Sequence, residues 1–300
     1  MAVNTETAST APSEATKTDW VGATLAFFQT RVGMMTLLAT AGIVLCFWPL
    51  LVYLPHIWMG EDGYYTHGFL VPFIAGYVIY RWWPRLEKIP VKAGWLAVIP
   101  LAVLAFFLRT AFTSHFQAVL SVELIATIIC CVWLVAGIRW AVATSLPVIY
   151  LAFALPLFGS FIEVYTNPLQ ILSTKVAYQI LGLANFQPFM AEPTVIQLNT
   201  FTLNVEVPCS GLKLFLAVSA FTAFFMMIGN LKWWGNLLMV SIIIPLCLFI
   251  NGLRIALIGM VGETYGGVAG HRFHDYSGYI TLIICFFLLF KFARLIGWKD

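Results

Sequence analysis

Apolar runs recur along almost the whole chain, and each is close to the length that crosses a lipid bilayer. A span needs roughly 20 apolar residues, because the hydrocarbon core is about 30 Å thick and a helix rises about 1.5 Å per residue. Runs of this kind fall at residues 31–54, 67–84, 93–110, 116–136, 140–160, 211–230, 233–258 and 276–297. Charged residues make up only 10% of the chain, against about a quarter in a soluble domain. The expected fold is an all-α polytopic membrane protein with about eight transmembrane helices and an extracytoplasmic insert before the sixth.

That insert covers residues 161–210. Its first half, "FIEVYTNPLQILSTKVAYQILGL", has helical periodicity and few charges, and reads as an amphipathic segment on the membrane surface. Its second half alternates apolar and polar residues, as a short hairpin or strands would. Residues 1–20 are polar and rich in Ser, Thr and Ala, without the basic start and apolar core of a signal peptide. Residues 1–30 are therefore expected to form a disordered cytoplasmic tail, and residues 31–300 the transmembrane domain.

Orientation follows from the basic residues. With the N-terminus in the cytoplasm, Lys17, Arg31, Arg81, Arg85, Lys88, Lys92, Arg139, Lys232, Lys291, Arg294 and Lys299 fall inside, 11 of the 16 Lys and Arg. Both termini are then cytoplasmic, and the 161–210 insert and the 259–275 loop face outward. The net charge of +3 comes with no basic run, so no nucleic-acid partner is expected.

Five of the six cysteines lie within apolar runs, where a thiol acts as a small hydrophobe. Cys209 alone lies at a boundary, in "EVPCSGLKLF". Two other polar groups reach the same outer level: Arg254, in "NGLRIALIGM" near the outer end of the seventh run, and His271 and His274, in "GHRFHDYSGY" before the eighth. A thiolate, an imidazole and a guanidinium are the parts of an acyl transfer: nucleophile, proton carrier and oxyanion donor. With a helix starting at Ser210, its positive end and Lys213 would both favour the thiolate. Against this stand structural readings: a buried thiol for Cys209, a snorkelling interfacial cation for Arg254, and a polar loop for the histidines. Glu123, in the fourth run, has a structural reading as a partner of Arg109. The His, Cys and acidic residues lack ligand spacing, so no metal and no other cofactor is expected.

The same residues resemble a known family, the exosortases, bacterial relatives of the archaeosortases. "EVPCSGLK" is similar to the family's cysteine motif, "NGLRI" to its arginine motif, and "HDYSGY" to its histidine motif; "YYTHGFLVPFIAGYVIYRWW" resembles an early block of the bacterial branch. Tyr279 stands where tryptophan is usual. The resemblance covers roughly residues 60–295 and implies a membrane cysteine peptidase or transpeptidase. Such an enzyme cleaves the C-terminal, PEP-CTERM-like sorting tail of exported proteins through a thioester, at the outer face of the bacterial inner membrane. The partners it implies are tail-bearing substrate proteins, the lipid bilayer and a lipid or polysaccharide acceptor linked to polysaccharide export. By the same resemblance Cys209, Arg254 and His274 are catalytic, with His274 preferred over His271 because Gly278 follows it by four residues. Glu206, Ser210, Lys213, Asn251, His271 and His67 are the supporting or substrate-binding set. Two other classes compete: an outer-leaflet glycan or lipid transferase using Glu61 and Asp62, and a transporter with a polar path through Arg254, Glu123 and His67.

Overall fold

The computed structural model describes residue 26 and residues 28–60, 63–113 and 117–298. The expected tail at residues 1–30 falls mostly outside these, as do Glu61 and Asp62. Residues up to Gly42 and residues from Ile43 onward form separate compact units. Helix α1 (Arg31–Cys46) spans that boundary and begins after Thr30, whose Oγ1 accepts the Gly33 N–H at 3.0 Å and so caps an otherwise unpaired donor.

The second unit continues with α2 (Trp48–Trp58), α3 (Leu70–Leu86), α4 (Val98–Thr113), α5 (Gln117–Ala136) and α6 (Ile138–Tyr150). Then come α7 (Gly159–Leu183), strands β1 (Phe189–Glu192), β2 (Val195–Gln197) and β3 (Thr202–Asn204), and helices α8 (Leu212–Ile228), α9 (Trp233–Tyr265) and α10 (Gly267–Leu295). The chain is an all-α polytopic membrane protein. Among the described residues five helices are long and apolar enough to cross a membrane, or up to seven if each of two bent helix pairs is one span. Eight separate runs were expected. The expected fifth run ends in a 68° bend, and the chain continues as α7. Leu155 takes an extended conformation there ahead of Pro156, which disfavours helix in the residue before it.

The insert is therefore a 25-residue helix followed by a small antiparallel sheet in the order β1-β2-β3. α7 packs lengthwise on α9, burying Gln170, Ser173, Thr174, Ala177 and Leu181. Glycines on α9 allow close approach: a Cβ at Gly252 would come 2.4 Å from Val176 on α7, and one at Gly262 would come 2.5 Å from Phe201 beside β3. Ala177, Leu181, Ile196, Leu203, Val205, Cys209, Ile255 and Ile258 form one buried cluster, so the sheet and the α7–α9 pair share a core with the nucleophile candidate. A second cluster, with Val218, Phe225, Ile243, Cys247, Cys285 and Leu289, binds α8, α9 and α10 together.

The expected outer loop at 259–275 is mostly helix. α9 runs 33 residues to Tyr265, and α10 starts at Gly267 after the single turn residue Gly266, with φ +88°. Hydropathy marks where apolar residues stop, whereas helical hydrogen bonding continues through polar residues once outside the hydrocarbon. α9 is about 50 Å long, well beyond the ~30 Å apolar slab.

Candidate active site

Cys209 ends a short 3-10 turn, Val207–Cys209, that Pro208 helps set and that follows the strands. The expected helix start at Ser210 is displaced: α8 begins at Leu212, and Gly211 between them is left-handed, φ +85°. Cys209 thus stands before the helix and not in its first turn. Its N–H donates to the Glu206 carbonyl at 2.9 Å, and the Ser210 N–H to the Val207 carbonyl at 3.0 Å. The Cys209 carbonyl accepts Asn251 Nδ2 at 2.9 Å, and the Ser210 carbonyl accepts Ser173 Oγ at 3.3 Å. Asn251 and Ser210 are each 1% exposed. A Cβ at Gly211 would come 2.8 Å from Asn251 Nδ2, so the turn closes on α9 only with glycine there.

The thiol itself points to α10. Cys209 Sγ lies 2.7 Å from His274 Nε2, and His274 Nδ1 lies 3.3 Å from Asp275 Oδ1. Nucleophile, base and carboxylate are thus connected in the order that activates a thiol. Asp275 was missed in the sequence. A carboxylate immediately after the histidine is a weak signal, because adjacent helical residues do not share a face.

Arg254 approaches from α9. Its Nε donates to Ser277 Oγ at 3.0 Å and its Nη2 to the His274 carbonyl at 3.4 Å; Ser277 Oγ also donates to that carbonyl at 3.0 Å. Ser277 is buried and was also missed. Arg254 was expected near the end of its helix, but the helix continues for eleven residues beyond it, to Tyr265. Because α10 runs back along α9 from the tight turn at Gly266, Arg254 meets Ser277 and Gly278, one turn beyond His274. Nη1 makes no hydrogen bond among the described residues.

Two cavities meet at this pair. One, of about 400 Å³, is lined by Lys213, Asn251, Arg254, His274, Asp275 and Tyr279 among others. The other, of about 330 Å³, is lined by β3, Glu206, Cys209, His271, His274 and Asp275. His274 and Asp275 form the wall common to both. The other sites proposed from sequence sort as follows. Glu206 and His271 are exposed on the second cavity, and His271 makes no hydrogen bond among the described residues. Lys213 lines the first and stands 5.8 Å from the Tyr64 ring.

His67 is elsewhere. It sits on the turn Thr66–Phe69, meets the backbone of Phe153 and leaves Nε2 buried with no partner among the described residues. The next residue explains part of the "HGF" block: a Cβ at Gly68 would fall 2.3 Å from the Trp58 indole nitrogen. Glu123 is not paired with Arg109; it is buried, and its Oε2 has no partner among the described residues. The cavity lined by Arg254 includes neither Glu123 nor His67, so the polar path expected for a transporter is not continuous there.

No curated protein and no solved structure matches this chain significantly. A family model described as transmembrane exosortase (Exosortase_EpsH) matches residues 57–291, which takes in the early block, the Cys209 turn, Arg254 and His274. The chain belongs to the transmembrane exosortase family, and is a multi-pass membrane enzyme of protein sorting.

Proposed function

We propose that this protein is a cysteine peptidase or transpeptidase acting on the C-terminal sorting tails of exported proteins, with Cys209 as nucleophile. The observation that carries the reading is the 2.7 Å approach of His274 Nε2 to Cys209 Sγ, between two cavities. His274 takes the thiol proton as Sγ attacks the scissile carbonyl. The Sγ–C bond forms, and a negative charge develops on the carbonyl oxygen. The N–H groups of Cys209 and Ser210 are already committed to the turn, so side chains must steady that charge. Arg254 and Lys213, both on the first cavity, are the cations at hand. When the C–N bond breaks, His274 passes its proton to the leaving amine, and a thioester remains on Cys209. An acceptor amine, or water, then attacks the thioester and gives a proton to His274; the Sγ–C bond breaks, and His274 passes that proton to the departing thiolate.

The basic-residue bias supports both termini in the cytoplasm and the site at the outer face of the inner membrane. A tail inserting as a helix would bring its motif to that level. In this reading Asn251, Ser210 and Gly211 hold the Cys209 turn, Ser277 and Asp275 hold His274, and Glu206 and His271 contact substrate. His67 shapes the fold beneath the early block. Processing of a tail-bearing protein by purified enzyme tests the reading. Cleavage should be lost with Cys209→Ala and with His274→Ala, and Cys209→Ala retaining substantial cleavage would refute it.

A further inference from the structure

The antiparallel register leaves one edge of the sheet open beside the thiol. Among the described residues β3 pairs only with β2, through Val195 with Asn204, Ile196 with Leu203 and Gln197 with Thr202. In an antiparallel ladder, pairs that exchange hydrogen bonds alternate with pairs that do not. The bonds at either end fix which are which: the Leu198 N–H donates to the Phe201 carbonyl, and the Val205 N–H to the Thr194 carbonyl, each at 2.9 Å. The Phe201 carbonyl and the main chain of Leu203 and Val205 therefore face β2. Thr202 and Asn204 turn theirs to the other side, where no strand follows. Both residues are exposed.

β3 borders the second cavity: Thr202 to Glu206 line it together with Ile255, Ile258, His271, His274 and Asp275, and Cys209 follows the strand in the same lining. The edge is held in place: the Glu263 carboxylate on α9 accepts the Thr200 N–H at 3.0 Å and the Phe201 N–H at 2.9 Å. Leu203 and Val205 anchor the strand in the core. An exposed strand edge invites pairing with another chain, and an extended peptide can add to it as a further strand.

We propose that the segment of substrate next to the scissile bond binds as a fourth strand on β3. Its main chain pairs with the N–H and C=O groups of Thr202 and Asn204, which delivers its carbonyl to Cys209. The inference rests on the peptide-cleaving reading above and adds how the peptide is held. Recognition through main-chain groups fixes register and tolerates varied side chains. It also has a signature no side-chain pocket shares: a dependence on every second amide of the peptide.

The test uses full-length Cys209→Ala protein in detergent and a fluorescent synthetic peptide comprising a PEP-CTERM-like tail. Binding is compared for the plain peptide and for versions each carrying one N-methyl amide near the cleavage point. Tenfold or greater weakening at alternate positions, with little change at those between, is the expected result. Thr202→Pro and Asn204→Pro, which each remove an outward N–H without touching the β2 ladder, should weaken binding similarly. With Cys209 retained, the same two variants should keep the wild-type melting temperature and rate of Cys209 alkylation by iodoacetamide, which separates a lost edge from a lost fold. A plain peptide that binds, with N-methylation tolerated at every position, overturns the strand-addition inference and leaves the peptidase reading standing. No binding of the plain peptide, together with no cleavage by wild-type enzyme, counts against the peptidase reading itself and takes this inference with it.

Discussion

At the scale of single residues, the account rests on how few groups touch the thiol. Removing the nucleophile should cost most: Cys209→Ala is expected to lower processing by about a thousandfold or more, and Cys209→Ser nearly as far. The carboxylate beside His274 has a smaller part. Its Oδ1 is 3.3 Å away and its side chain is 72% exposed, so water competes for the same hydrogen bond. Asp275→Asn should reduce kcat by no more than about tenfold with KM little changed, measured on a tail-bearing substrate; the partner of an acid–base residue usually counts for less than the residue itself, which contributes about a hundredfold or more. Asn251 acts through the backbone. Replacing it with Leu leaves the buried Cys209 carbonyl unpaired, at an expected cost of about 1–3 kcal/mol in a detergent unfolding series. Cys209 and Arg254 stood out in the sequence as a reactive group at the edge of an apolar run and a charge within one, whereas His274 was preferred to His271 only through the resemblance to the exosortases. Asp275, Ser277 and Glu263 could not, because their roles arise only where two helices and a hairpin meet.

At the scale of elements, the turn before α8 is the part most exposed to a single change. Gly211→Ala forces a side chain into a left-handed residue and against Asn251 Nδ2 at 2.8 Å. The expected cost is about 1–3 kcal/mol, with loss of processing, because Asn251 would be pushed off the Cys209 carbonyl. Melting temperature and activity should fall together. Gly278→Ala is a useful contrast: its Cβ would lie 3.8 Å from Arg254, an ordinary contact, and little destabilisation is expected. Element types were legible where apolar runs were long, as in α5 and α8. The α9–α10 boundary was not, since residues 259–275 read as a loop yet extend both helices around Gly266. The strand-like alternation at 189–204 did carry through to a sheet, but its open edge depends on pairing register, which alternation alone does not specify.

At the scale of the whole molecule, orientation decides what the site can meet. With both termini inside, a protein keeping Cys209 and lacking the other five cysteines should react with a membrane-impermeant maleimide added outside intact cells. Tags at either terminus should stay protected. Reaction only after permeabilisation would reverse the topology and place the chemistry in the cytoplasm. Membership of the transmembrane exosortase family fixes the class of work, and Cys209 with His274 is where the account places the chemistry. The most direct measurement is intact-mass spectrometry of purified enzyme mixed with a protein carrying a sorting tail. The account predicts a covalent adduct of the cleaved protein on Cys209, absent in Cys209→Ala and accumulating when acceptor is withheld. Tail cleavage that proceeds unchanged in Cys209→Ala, with no adduct on the wild-type enzyme, would contradict it.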